Sequence, residues 1–170
     1  MIKIVITGPE STGKSTITKQ LAAHFKVEMV SEYARTYLQK LNKEYSQNDL
    51  TEIAKGQIAI EDNALESNSK FIVCDTSLEV IKIWSEFKYK SCDSFISTSL
   101  RERQPNLYLL MKPDLPWEPD PLRENPANRQ ELFDLYKNEL VTSKVPFYEI
   151  SGNGKERLKK AIEALNNHGL

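Results

Sequence analysis

Long apolar runs are missing from this sequence. Its opening stretch, IKIVIT at residues 2–7, leads straight into a glycine loop, far short of the ~20 residues that cross a bilayer and unlike a signal peptide. A soluble, cytoplasmic protein is expected. Cysteine is scarce: Cys74 in an apolar run and Cys92 in a polar one make neither a disulfide framework nor a zinc-ligand spacing. His24 and His168 each stand alone, which suits capping or solvated roles rather than catalysis. An excess of one charge is lacking as well, since 23 Lys and Arg face 24 Asp and Glu for a net charge of −1. Without a global basic field, neither nucleic acid nor a membrane is expected as a partner. No repeat, low-complexity tract or long linker divides the 170 residues, so a single domain over residues 1–170 is expected.

What is present is an alternation of apolar runs and helical patterns. Residues 2–7, 27–30, 70–76, 106–111 and 146–150 read as strands, the first a continuous β-branched run of the kind covered on both faces. Helical spacing joins Ile17, Leu21, Ala22 and Phe25; Tyr33, Tyr37, Leu38 and Leu41; and Leu50, Ile53, Ile60 and Ala64. Further helices are predicted around 78–88 and 93–102, then through Leu132, Phe133, Tyr136 and Leu140, and through Leu158, Ile162 and Leu165. Ser46 opens a capping-box spacing, and Asn128 with Glu131 is placed to cap a helix. Trp84, beside Ile81 and Phe87 on an apolar face, is expected in the core. This order predicts an α/β fold, a five-stranded parallel sheet with helices on both faces. Ligands in such sheets bind beyond the carboxyl ends of the strands, where Gly8, Ser31, Asp75, Lys112 and Ser151 should share one rim.

The most specific signal is GPESTGKST at residues 8–16, the spacing of a phosphate-binding loop between strand and helix. Gly8 and Gly13 permit the tight path, and the amides along Glu10, Ser11, Thr12 and Gly13 converge on phosphates at the start of the helix. Lys14 would reach the β- and γ-phosphates, Ser15 would ligate Mg²⁺, and Thr16 would support the α-phosphate of ATP. Asp75 ends an apolar strand and would hold Mg²⁺ through water or accept a proton; helix capping is its plainer role. The residue after it is not a second carboxylate, which suits a kinase better than a water-activating ATPase.

The proline-rich stretch 112–129 is too irregular for one helix and reads as a lid. Its Arg123 and Arg129 would supply charge during phosphoryl transfer. Trp117 and Asp120 would meet a planar base and sugar hydroxyls, or Trp117 would anchor the lid to the core. After the second strand, Glu32, Tyr33 and Arg35 stand where a small-molecule kinase presents its acceptor, although Glu32 also suits the first turn of a helix.

GPESTGKST, SEYARTYL, DLTEIAKGQ, FIVCDT followed by IKIW, LYLLMKPDLPWEPDPLRE and NRQELF, in this order, resemble the ribosylnicotinamide kinase domain of NadR-type proteins over nearly the whole chain. The resemblance implies a P-loop fold related to nucleoside and nucleotide kinases, and ATP-dependent phosphorylation of the 5′-hydroxyl of nicotinamide riboside in NAD synthesis. It places Lys14, Ser15 and Thr16 at Mg-ATP, Asp75 at the acceptor hydroxyl or metal, and Arg123 and Arg129 in the lid. Ser31 departs from the pattern, standing where the family has an aromatic residue. Because the loop begins at residue 8, the adenylyltransferase domain of bifunctional members is expected to be absent. The main expectation is a kinase acting on a small nucleoside; the alternative is a regulatory P-loop module that senses ATP without turning over a substrate.

Overall fold

The computed structural model describes residues 1–170. Five strands, β1 (Ile2–Thr7), β2 (Glu28–Val30), β3 (Phe71–Asp75), β4 (Leu107–Met111) and β5 (Phe147–Ile150), form one parallel sheet in the order β2-β3-β1-β4-β5. Seven helices lie between and after them: α1 (Lys14–Phe25), α2 (Tyr33–Lys40), α3 (Gln47–Leu65), α4 (Leu78–Tyr89), α5 (Ser94–Glu102), α6 (Arg129–Ser143) and α7 (Gly154–Asn167). No helix is long and apolar enough to cross a membrane.

The two-residue period of each central strand feeds two cores. Ile4, Ile6, Phe71, Val73, Leu107, Leu109 and Met111 meet α1 and α7 through Ile17, Leu21, Ala161 and Leu165. Val5, Ile72, Cys74, Tyr108 and Leu110 face the other way, onto Ala64 of α3, Ile83 of α4 and Leu132, Phe133, Tyr136 and Leu140 of α6. A third cluster, with Ala34, Leu50, Ile53, Leu78, Ile81, Ile96 and Leu100, packs α2 to α5 together. Each such fully buried Ile or Leu contributes roughly 1.5–3 kcal/mol, so the strand ends are carried on a stiff base.

Three local expectations change. Asn128 does precede α6, but its side chain makes no capping bond; only its carbonyl accepts from Leu132 N, at 2.9 Å. In α3 the buried stripe runs through Leu50, Ile53, Ala54, Gln57, Glu61 and Ala64, while Ile60 is only partly buried. Two polar residues take that inward place because they find buried partners, described below. Trp84 is partly buried and lines a cavity, its indole N–H donating to the Tyr45 hydroxyl at 3.0 Å. The Ser46 capping box is present, with the Asp49 carboxylate accepting from Ser46 N at 2.8 Å and Ser46 Oγ at 2.6 Å.

Candidate active site

Where β1 ends, the chain turns through Gly8 at φ 130°, Ser11 at φ 56° and Gly13 at φ 77° before entering α1. Gly8 has no alternative: a Cβ there would sit 2.7 Å from the Met111 carbonyl oxygen of β4. The loop is braced by Thr12 Oγ1 donating to Pro9 O at 2.9 Å. α1 has no side-chain cap and no acidic residue in its first turn, so its leading amides suit an anion. The Lys14 ammonium donates to Gly8 O at 2.9 Å and Pro9 O at 2.8 Å. Burial lowers its pKa, against the opposing pull of Glu32, Asp75 and Glu10.

A cavity of about 380 Å³ runs from this loop across the sheet edge. Gly8, Glu10, Ser11, Thr12, Gly13, Lys14, Ser15 and Thr16 all line it, as do Glu32, Arg35 and Arg123. Its far wall is apolar, built from Val80, Ile83, Trp84 and Phe87 of α4 with Leu132 and Tyr136 of α6. Burial raises the pKa of Glu32, and Asp75 raises it further, while Lys14 and Arg35 act in the opposite direction. Asp75 lies beside Ile6 in the strand register, is 7 % exposed, and its Oδ1 has no hydrogen-bond partner. A buried carboxylate oxygen left free next to a phosphate loop, with the exposed Ser15 hydroxyl on the adjoining helix, is a donor set that fits a hydrated Mg²⁺.

The segment 112–128 has no helix or strand and lies over the loop. Glu10 accepts from Glu124 N at 3.1 Å and Asn125 N at 2.8 Å, and Ser11 Oγ accepts from Glu118 N at 2.9 Å. Arg123 donates to Glu118 O and, at 3.4 Å, to Ser11 Oγ; Arg129 donates to Leu115 O at 2.8 Å and Ser11 O at 3.3 Å.

Five predicted residues, Asp75 and the four that follow, do not line the cavity. Arg129 is not among the cavity residues, because its guanidinium is occupied by those carbonyls. Trp117 is also outside the lining, with Arg123 and Arg129 at 6.0 and 5.8 Å from its ring centre, an anchor within the lid. Asp120 binds Arg35 at 3.1 Å, joining the lid to α2 rather than lining the cavity. Tyr33 turns away onto α3, where a Cβ on Gly56 would lie 2.0 Å from its ring.

Several cavity residues were not anticipated, the apolar wall among them, and one is a buried arginine. Arg157 of α7 is 2 % exposed and donates to Gly152 O at 2.8 Å, Thr12 O at 2.7 Å, Lys112 O at 3.1 Å and the Asp114 carboxylate. It fastens the β5–α7 loop to the phosphate loop. The available signal was an arginine inside SGNGKER, just after a strand on the same rim.

Residues 3–157 match the family model described as AAA domain. The chain is 27% identical over 156 residues to the trifunctional NAD biosynthesis/regulator protein NadR of Escherichia coli (strain K12), covering 86% of this chain and 37% of that protein. The corresponding Salmonella typhimurium protein is 26% identical over 156 residues, with the same shares. This chain thus spans well under half the length of these curated relatives. Among solved structures, NadR protein in complex with NR gives a TM-score of 0.87 at 19% identity, over 98% of this chain and 51% of that one. Thymidylate kinase from Ehrlichia chaffeensis gives 0.70 at 14% identity, over 96% and 98%, and deoxyadenosine kinase from M. mycoides gives 0.68 at 15%, over 98% and 100%. The fold is therefore the P-loop α/β fold of nucleoside and nucleotide kinases, and the resemblance to NadR read from the motifs is borne out.

Proposed function

The chain belongs to the AAA-domain family, and from that premise we propose that it transfers the γ-phosphoryl group of ATP to the 5′-hydroxyl of a small ribonucleoside, nicotinamide riboside foremost. The observation that carries this reading is one cavity shared by the phosphate loop and the Glu32 carboxylate. A donor cradle and a proton acceptor that open onto the same volume suit direct transfer between two small molecules.

In this reading the amides of residues 10–14 and the Lys14 ammonium bind the β- and γ-phosphates, and Arg123 adds positive charge where the γ-phosphoryl leaves ADP. The acceptor oxygen forms its bond to Pγ as the bond to the β-phosphate oxygen breaks. Its proton passes to Glu32, whose pKa is raised chiefly by burial, as a general base working near neutrality requires. Ser15 and Asp75 would hold Mg²⁺, which when bound neutralises charge on the β- and γ-phosphates. This reading gives the proton-accepting part, for which Asp75 was also a candidate, to Glu32, which opens onto the cavity, and keeps the unpartnered Asp75 carboxylate for Mg²⁺.

The acceptor's base would rest on the apolar wall of Val80, Ile83, Trp84 and Phe87. Trp84 then supplies from α4 the aromatic surface that Ser31 does not. The names of the relatives, with their link to NAD synthesis, favour nicotinamide as that base. Over its whole length the chain serves as a single kinase unit with the lid at 112–129. Purified protein with ATP, Mg²⁺ and a nucleoside panel should release ADP fastest with nicotinamide riboside. ATP binding with no ADP release for any nucleoside would instead support a regulatory, ATP-sensing role.

A further inference from the structure

Beneath α3 and α4 lies a buried polar cluster that touches neither the phosphate loop nor the cavity. Glu61 is fully buried, and both its oxygens are bound: Oε2 by Lys3 Nζ at 3.0 Å, Oε1 by Ser77 Oγ at 2.6 Å and Gln57 Nε2 at 3.1 Å. Lys3 Nζ also donates to Arg103 O at 2.8 Å. A buried carboxylate held by three hydrogen bonds across both oxygens specifies one arrangement of its neighbours, and two of those neighbours lead to the site.

The first route runs through Gln57. Its Oε1 accepts from Tyr33 N at 3.0 Å, the first amide of α2 and one of the four at a helix start that have no partner within the helix. The residue before it is Glu32, which makes no side-chain cap bond. The bond to Gln57 instead fixes the backbone directly after Glu32, and with it the point from which the Glu32 carboxylate lines the cavity. Donation from Gln57 Nε2 to Glu61 fixes which end of the amide faces Tyr33.

The second route runs through Ser77, two residues after Asp75. Between them Thr76 has φ 66°, a left-handed conformation that is strained for a β-branched residue. The bonds from Thr76 N to Ile6 O at 3.0 Å and from Ser77 Oγ to Glu61 hold this turn in place, and with it the direction in which Asp75 leaves β3.

We propose that Glu61, acting through Gln57 and Ser77, is a positioning residue that aims Glu32 into the cavity and Asp75 toward the metal. This rests on the functional reading above for what is being positioned. It goes beyond that reading in assigning the two carboxylates of the site to one buried carboxylate that never meets substrate. Replacing Glu61 itself would leave Lys3 buried without its counter-charge and threatens folding, so the test leaves that pair intact. Gln57→Met keeps size but removes both hydrogen bonds; Ser77→Ala removes only the hydroxyl.

For Gln57→Met, kcat should fall roughly tenfold to a hundredfold, the scale of a small misplacement, while KM for ATP stays within about twofold. The Tyr33 amide should exchange at least roughly tenfold faster, with amides of α1 and α7 unchanged. For Ser77→Ala, the Mg²⁺ concentration for half-maximal rate should rise. A folded Gln57→Met protein with wild-type kcat and unchanged Tyr33 exchange would overturn the proposal. So would losses in kcat and ATP affinity in equal proportion, the mark of general loosening. If the wild-type protein phosphorylates no nucleoside, the functional reading fails by itself. The positioning is then decided by Tyr33 exchange and by the ¹³C carboxyl titration of Glu32, which is faced by Lys14 of α1, Asp75 of β3, Arg35 of α2 and Asp120 of the lid. Wild-type values for both in Gln57→Met would refute it; faster exchange and a Glu32 midpoint shifted toward the ordinary carboxylate range would uphold it.

Discussion

Glu10, inside the phosphate loop, accepts the backbone amide of Asn125 in the lid at 2.8 Å. With the neighbouring bond from Glu124 N, this makes the donor site and its cover one unit. Lids of this kind exclude water from the transferring phosphoryl group. Glu10→Ala should therefore lower nucleoside-dependent turnover by roughly tenfold and raise ATP hydrolysis without nucleoside. ADP release measured with and without acceptor checks both directions.

Lys14 is bonded to two loop carbonyls and lowered in pKa by burial, so its charge is costly unless phosphates use it. Lys14→Met should weaken ATP binding by roughly 10- to 100-fold, the scale of a charge-assisted hydrogen bond or two. The melting temperature without nucleotide should stay the same or rise. Titration calorimetry and thermal unfolding together separate the two effects.

Glu32 must be deprotonated to accept the acceptor's proton, so kcat should fall as pH drops through its pKa. Because burial raises that pKa, the acid limb should lie above the ordinary carboxylate range. Glu32→Gln should reduce kcat by roughly 10²- to 10⁴-fold with little change in KM for ATP. Asp75→Asn should instead raise the Mg²⁺ requirement. Rates over a pH series at saturating ATP test the pair.

Glu79 is fully buried, and neither carboxylate oxygen has a hydrogen-bond partner. Burial pushes its pKa up to about 7 from 4.5; Thr7 lies close but outside hydrogen-bond geometry, Glu61 adds to the rise and Lys3 opposes it. The folded state holds this proton more tightly than the unfolded chain. Its contribution is thus complete below pH 4.5 and is lost as pH rises through about 7, a change of roughly 3 kcal/mol. Glu79→Gln should remove that decline, closing much of the gap between urea midpoints at pH 5 and pH 8. An unchanged gap would show that Glu79 is not its source.

The sheet was legible because β1, β3 and β4 are buried on both faces and so read as continuous apolar runs, and the phosphate loop because its glycines are forced by backbone geometry. The lid's position was legible from proline, which excludes a helix there, but its bonds were not. Asp120 meets Arg35 and Glu10 meets Asn125 across separations that no local pattern encodes. Gln57 and Glu61 sit four apart on the same stripe as Ile53 and Ala64, and only their buried partners explain polar residues there. Gly56 in α3 likewise leaves room for the Tyr33 ring of α2, a contact that no local pattern encodes.

The central claim is tested most directly by following ATP, Mg²⁺ and nicotinamide riboside with the wild-type protein by ³¹P NMR. A new phosphate monoester signal on the ribose 5′-oxygen, growing one for one with ADP and absent with Lys14→Met, is the predicted result. ATP that stays intact, or is hydrolysed to inorganic phosphate with no monoester from this or any other nucleoside, would contradict it.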